Sequence, residues 1–315
     1  MKVRITRKFE TATDICAFEL ADPEGTPLPA FSAGAHIDVH LGNGLVRQYS
    51  LCNNPNDRHR YMLGVLRDPV SRGGSVAMHA LREGDEVEIS EPRNHFPLAA
   101  EARHSILLAG GIGVTPILCM AERLAHIGAS FEFHYCTRSP ERTAFRDRLA
   151  EPDLQGKAHL YHDSEPPEKR IDLAAVLGKP DAGTHLYVCG PGGFIDAVLN
   201  AAKAAGWPEQ NVHREYFSAA PAATAEDGSF EVKIASTGQI VVIPPDQTVT
   251  EALAAAGVEV LTSCEQGVCG TCLTRVLEGV PDHRDLYLTD AEHDANDQFL
   301  PCCSRSKTPM LVLDL

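Results

Sequence analysis

Nowhere in the 315 residues is there an apolar run long enough to cross a bilayer. The most apolar window, ILLAGGIGVTPILCMA (106–121), is broken by three glycines and a proline. The opening MKVRITRKFE is charged throughout and lacks the apolar stretch of a secretory leader. Positive charge is also scarce: 28 Lys and Arg stand against 43 Asp and Glu, a net charge of −15. Such a surface repels phosphate backbones and anionic lipid, which argues against nucleic acid or membrane as a partner. It leaves plain surface acidity or a basic protein partner. There is no internal repeat. The fourteen histidines show no ligand spacing, and the HRH around His59 reads as loop. The expectation is a cytoplasmic, monomeric chain of two or three domains. In that reducing setting ten cysteines point to metal or redox chemistry, not to disulfides.

What is present falls into three segments. Up to about residue 100 the chain reads as short strands. HIDVHL alternates, with Ile37, Val39 and Leu41 on one side and His36, Asp38 and His40 on the other. VRQYSL, YMLGVLRD and DEVEIS continue the pattern, as expected of an antiparallel barrel or sandwich. One helix interrupts it in GGSVAMHALREG, with Ser75 as N-cap and Gly84 as stop. From about 104 the period changes. SILLAGG is continuously apolar, like a strand buried on both faces. Helix PILCMAERLAHIG, strand FEFHYCT, strand AHLYHD, helix DLAAVLG, strand THLYVCG, helix GFIDAVLNAAKAAG and strand VHREYF follow. That alternation predicts a doubly wound parallel sheet of about five strands. SAAPAATAEDG (218–228) reads as a linker. Beyond it, FEVKIASTGQIVVIPP is a hairpin pattern, and Thr248 with Glu251 forms a capping box.

The third segment holds the cysteine cluster. CEQGVCGTC spaces Cys264, Cys269 and Cys272 as C-x4-C-x2-C, with LPCCSR further on. This is the plant-type [2Fe–2S] spacing, in which four thiolates converge on two irons. Gly267 and Gly270 let the loop curl so that amides point at the sulfurs. Structural zinc is the rival, although its knuckles are usually paired C-x2-C. Spacing alone leaves Cys302 and Cys303 both open as the fourth ligand.

CEQGVCGTC, GVPDHRD and the ending LPCCSRSKTPMLVLDL resemble the C-terminal ferredoxin domain of the phthalate dioxygenase reductase family. The resemblance implies a β-grasp fold there and places the ligand two residues before Ser-Arg. That selects Cys302, with Cys303 as a small buried hydrophobe. RQYSL resembles the flavin-binding RxYS motif of the ferredoxin-reductase superfamily. By that resemblance Arg47 holds phosphate, Gln48 and Tyr49 border the flavin, and Ser50 reaches its N5 region. SRGGSVAMH adds Gly73, Gly74 and Ser75 at a helix N-terminus, with Arg67 and Arg72 nearby. AGGIGVTPIL resembles the superfamily's pyrophosphate turn: Gly110, Gly111 and Gly113 allow backbone approach, Thr115 suits the N-cap and Pro116 the N1 position. Cys189, Gly190 and Pro191 in YVCGPGG match the nicotinamide-lining Cys-Gly-Pro. Phe217, at the end of the last strand, matches a residue lying against the flavin, with Ser50 and Thr115 close by. Arg138 and Ser139 follow the second parallel strand, where the ribose is held. The family's namesake carries an acidic residue where Ser139 stands, and Arg138 with Ser139 suits a 2′-phosphate, so NADPH stands as the alternative to NADH.

The resemblance spans the whole chain. It implies an FMN-binding β-barrel (1–102), an NAD-binding α/β domain (103–217), a linker (218–228) and a [2Fe–2S] ferredoxin domain (229–315). The flavin–nucleotide–ferredoxin order favours FMN. The implied activity is an NADH-dependent reductase that serves a terminal oxygenase, of Rieske non-haem iron type acting on an aromatic or similar small acid. A cytochrome P450 is the alternative partner. A non-enzymatic iron–sulfur sensor is the reading from another class, and RQYSL and AGGIGVTP argue against it, because a sensor needs no hydride donor.

Overall fold

The computed structural model describes residues 1–42, 44–69, 71, 73–217 and 227–315. Arg72 and most of the expected linker (218–226) lie outside the described residues. The fold divides into two units, Met1–Glu215 and Tyr216–Leu315.

The first unit begins with β1 (Lys2–Ala12), β2 (Ile15–Ala21), β3 (His36–Leu41), β4 (Leu45–Ser50) and β5 (Tyr61–Leu66). Helix α1 (Gly74–Ala80) and β6 (Glu86–Ile89) follow. These strands form one antiparallel sheet in the order β4-β3-β6-β1-β2-β5. An antiparallel bridge between Leu51 and Leu63 joins its two ends into a barrel. Charged as it is, β1 is the central strand: Val3 and Ile5 are fully buried while Lys2 and Arg4 face out. The predicted alternation of β3 holds for Ile37, Val39 and Leu41. His36 and Asp38 are buried as well, because Arg93 pairs with Asp38 and residue 93 bridges to 36.

Two predicted caps are corrected. Gly73, in the left-handed region at φ 94°, caps α1, and Ser75 lies inside the helix with its Oγ accepting from the Asp68 amide. Gly84 (φ 93°) belongs to a turn beyond the end of the helix at Ala80. In both places a glycine in the left-handed region sets the local chain path, because only glycine adopts it without strain.

The α/β part follows as β7 (His104–Gly110), α2 (Val114–His126), β8 (Ser130–Thr137), α3 (Arg146–Leu149), β9 (Ala158–His162), α4 (Leu173–Leu177), β10 (Thr184–Cys189), α5 (Gly192–Ala204) and β11 (Val212–Glu215). Its five strands are parallel in the order β11-β10-β7-β8-β9. The core is shared with the barrel: Ile15, Ala17 and Met62 pack in one cluster with Leu107, Leu118 and Phe133.

The second unit holds β12 (Phe230–Ile234), β13 (Ile240–Ile243), α6 (Val249–Ala255), β14 (Thr274–Glu278), β15 (Pro281–Asp282), α7 (Asp290–Ala295), β16 (Gln298–Phe299), β17 (Arg305–Ser306) and β18 (Met310–Leu313). The five-stranded sheet runs β13-β12-β18-β14-β16, with β12 and β18 parallel and α6 packed across it. The expected capping box of Thr248 and Glu251 begins α6, and a second one, Thr289 with Glu292, begins α7. Asp227 enters the unit clamped by Arg284, at 2.6 and 2.9 Å. No helix among the described residues is long and apolar enough to cross a membrane.

Candidate cofactor and cluster sites

Strand β4 carries the RQYS stretch. The stem of Arg47 lies across Gly74: a Cβ on that glycine would come within 2.6 Å of Arg47 Cγ and 2.8 Å of its Nε. Arg47 is thereby held beside the first turn of α1, with Nη1 donating to the Val46 carbonyl at 2.7 Å. Gln48 donates to Asp38 (3.1 Å). Burial raises the Tyr49 hydroxyl pKa, and Arg47 opposes that. Arg67 is exposed, its amide donating to the Asp14 carbonyl.

Two glycine turns meet at the carboxyl ends of β7 and β10, which are neighbours in register (Ala109 opposite Cys189). A Cβ on Gly113 would lie 2.3 Å from the Cys189 carbonyl oxygen, and one on Gly190 would lie 2.9 Å from Gly110 Cα. Gly110 is closed in by Phe194 and Pro191. Gly111 is different: it has open space and a φ of +53°. The helix starts two residues earlier than expected. Gly113 is the cap, Val114 and Thr115 are helical, and Pro116 is the third helical residue instead of the first. The Thr115 hydroxyl donates to the Ile112 carbonyl (3.1 Å). Arg138 is exposed just past β8, and the Ser139 carbonyl accepts from the hydroxyls of Thr137 and Thr143.

The two motif regions converge on a residue that no motif flagged. Glu215 ends β11. Its half-buried carboxyl is pushed up to about 8 by burial, against the pull of a hydrogen bond from Ser50. The Cys189 thiol points at Glu215 Oε2 from 4.0 Å, and burial followed by Glu215 raises its own pKa. Ser50 from the barrel and Cys189 and Glu215 from the parallel sheet thus form one polar centre. The available signal was positional: an acid at the carboxyl end of a parallel strand, where such folds bind ligands. Phe217 is corrected: β11 ends at Glu215, and Phe217 lies beyond it, 37% exposed.

In the second unit Cys264, Cys269, Cys272 and Cys302 are all buried. Left-handed conformations at Glu265 (φ 52°), Gly267 (φ 70°) and Gly270 (φ 72°) curl the loop. The amides of Gln266 and Thr271 point at the sulfurs of Cys264 and Cys269, at 3.3 and 3.5 Å. The Cys264 thiol meets both Cys269 and Cys302. The first contact lowers its pKa; the second, with burial, raises it further, so the net shift is upward. Contact with Cys264, then burial, raises Cys269. Cys303 contacts Cys302, and its sulfur would be 2.5 Å from a Cβ on Gly267. Buried, mutually close thiols served by amide donors form a set suited to a cluster with anionic sulfurs.

Behind the loop sits Asp285, whose side chain is fully buried. It accepts from the amides of Tyr287 (3.2 Å) and Leu288 (2.9 Å), with Ser304 Oγ at 3.4 Å and His293 Nε2 at 3.3 Å. One donor atom from each of His283, Asp285 and His293 lies within 4.8 Å of the others. The two imidazoles are stacked, 4.4 Å apart and 25° from parallel. Asp285 and His293 are hydrogen-bonded to each other, whereas neither ring nitrogen of His283 has a hydrogen-bond partner among the described residues and its ring packs by stacking on His293.

Comparison with known proteins agrees with this geometry. A profile for the 2Fe-2S iron-sulfur cluster binding domain matches residues 232–307, and one for the dimethylamine monooxygenase subunit DmmA-like N-terminal domain matches residues 90–212. The chain is 57% identical, over 99% of its length and 98% of the relative's, to a vanillate O-demethylase oxidoreductase of Pseudomonas putida. The solved structure of phthalate dioxygenase reductase, described as a modular structure for electron transfer from pyridine nucleotides to [2Fe-2S], superposes with a TM-score of 0.82. It shares 42% identity, with 100% and 98% of the two chains covered. The chain belongs to the phthalate dioxygenase reductase family. An intact type IV self-sufficient cytochrome P450 monooxygenase contains a region similar to all of this family member, at 39% identity and a TM-score of 0.80, with 41% of the larger chain covered.

Proposed function

We propose that this oxidoreductase draws electrons from NADH and delivers them singly to a terminal oxygenase of the Rieske non-haem iron type. The observation that carries the reading is the presence in one chain of the Ser50–Cys189–Glu215 centre and the buried cysteine set. A bound FMN would supply the exchange between two-electron and one-electron chemistry, and a [2Fe–2S] cluster the one-electron output.

The chain's own contribution is binding and placement. Arg47 and the amides of Gly74 and Ser75 hold the flavin phosphate. Tyr49 and Thr115 border the flavin, and Ser50 reaches its N5 region. The turns of Gly110, Gly111 and Gly113 and of Cys189, Gly190 and Pro191 admit the nucleotide's pyrophosphate and nicotinamide. Glu215, holding its proton to about pH 8, keeps this centre neutral where a nicotinamide must approach. Cys264, Cys269, Cys272 and Cys302 ligate the cluster. The exposed Arg138 keeps NADPH as the rival donor. The likeness to the P450 monooxygenase keeps that class as the second partner. Ten free thiols support a cytosolic location.

The test is anaerobic addition of NADH to the purified protein, with released flavin identified by chromatography and iron counted. The expected outcome is FMN, two irons per chain and bleaching of both chromophores. Cys272→Ser should lose the cluster signal and keep NADH-to-dye reduction. Loss of dye reduction in the folded variant would refute the separation of roles.

A further inference from the structure

Most apolar side chains of the second unit are buried, but four near the cysteine loop are not: Leu261 (80% exposed), Leu286 (45%), Tyr287 (40%) and Leu273 (40%). Three of these are joined to the loop by named contacts. The Leu286 amide donates to the Gly267 carbonyl at 2.9 Å, and the Leu273 amide to the Gly270 carbonyl at 3.0 Å. The ring of Tyr287 lies on Gly270, where a Cβ would come within 2.3 Å of its Cζ. Leu273, Leu286 and Tyr287 therefore form an exposed rim around the turn that connects Cys264, Cys269 and Cys272.

This rim is also stiff. Buried Asp285 ties down the amides of Tyr287 and Leu288, and Ser304 and His293 hold Asp285 in turn. An exposed aromatic ring that is fixed before any partner arrives is the profile of an interface anchor, because little side-chain freedom is left to lose on binding. Just beyond the rim, α7 exposes Asp290, Glu292 and Asp294. Residues 229–315 carry five Lys and Arg against thirteen Asp and Glu.

We propose that Leu273, Leu286 and Tyr287 form the docking surface for the electron acceptor, a protein with an apolar centre and a basic margin facing α7. The proposal rests on the reductase reading above. The apolar rim supplies contact over the loop that carries the cluster ligands, and the acidic helix steers and orients the encounter. The transfer is one electron out of the reduced cluster and one into the acceptor's oxidised metal, with no bond made or broken.

Cytochrome c, a basic one-electron acceptor, is the probe. Three quantities are read on the full-length holoprotein: calorimetric binding at low salt, the KM for ferric cytochrome c, and the rate at which NADH reduces the cluster before any acceptor is added. Tyr287→Ser should weaken binding and raise KM by roughly tenfold or more, the scale of losing one aromatic anchor. Tyr287→Phe should stay close to wild type. Asp290→Asn with Asp294→Asn should flatten the dependence on ionic strength. The cluster's EPR spectrum and the NADH-driven reduction rate should not change. Unaltered binding and KM in Tyr287→Ser would overturn the proposal. So would slowed NADH-driven reduction with acceptor binding intact, since the surface would then serve the chain's own flavin unit. Should Tyr287→Ser disturb the EPR spectrum, Leu286→Ser, which leaves the ring over Gly270, decides by the same readouts. A wild type that NADH cannot reduce would sink the reductase reading itself, and the binding arm would still judge the surface.

Discussion

A Cβ on Gly113 would lie 2.3 Å from the carbonyl oxygen of Cys189 and 2.4 Å from its carbonyl carbon. Both are backbone atoms, so no rotamer change relieves the contact. Gly113→Ala should therefore force apart the two turns proposed to frame the nucleotide site, at a loss of about 1–3 kcal/mol or more. Gly111→Ala meets no neighbour and carries only the strain of a left-handed residue, about 1–2 kcal/mol. Urea midpoints rank the two, and KM for NADH should rise more in Gly113→Ala. Equal effects would show that the packing of the turns is unimportant.

On the proposed reading, Arg47→Ala removes a charged partner from the flavin phosphate. A loss of about 1.5–3 kcal/mol is expected, which is roughly ten- to a hundredfold in flavin affinity. Gly74→Ala should act in the same direction with Arg47 still present, by pushing its stem aside. Flavin retention on dialysis, followed by titration of the apoprotein, measures both. A Gly74→Ala protein with native affinity would detach Arg47 from phosphate binding.

Cys303→Val should keep the cluster and its spectrum, since the Cys303 sulfur packs on Gly267 and a small apolar group serves there. Cys302→Ala should lose or destabilise the cluster. If Cys303 swings in as a substitute, only the double variant will be fully cluster-free. Iron content with EPR decides, and the reverse pattern would make Cys303 the ligand.

His36 is 5% exposed, and its pKa is lowered to about 4 from 6.5, first by burial and then by His95 and Arg93, with Asp38 opposing. A base whose folded pKa is depressed contributes fully above its unfolded pKa. That contribution is lost as pH falls from about 6.5 toward 4. The 2.5-unit difference corresponds to about 3 kcal/mol at most. Urea midpoints at pH 7 and pH 4.5 should differ less in His36→Gln than in wild type. An identical difference would remove His36 from the acid response.

Much of this architecture was legible in the residues because the apolar period itself changes. Alternation in HIDVHL gives way to the unbroken run of SILLAGG, and that shift separates the barrel from the parallel sheet. The cysteine spacing and the glycines of the two turns were equally plain, since few side chains could replace them. Helix caps were read less well. Ser75 and Thr115 are good cap residues, but a preceding glycine took each cap position. Glu215 offered only its position at the carboxyl end of a parallel strand, and Tyr287 gave no local signal at all. One matters for what the barrel and sheet bring to it from far along the chain, the other for lying over a glycine seventeen positions earlier. Thr289 and Glu292 form a capping box that the pattern T-x-x-E announces, although the six-residue helix it begins is too short to show an apolar period.

Strand β18 lies in the middle of its sheet, flanked by β12 and β14. Its parallel pairing with β12 joins residues 231–234 to residues 310–313. During synthesis the first unit can therefore fold while the second still lacks its central strand. The cysteine loop emerges from the ribosome well before the residues that brace the sheet beneath it, and Cys302 comes later than the other three. The complete sheet thus exists only once the chain has been made through residue 313, and a chain cut short before β18 should fail to hold the cluster while its first unit still folds.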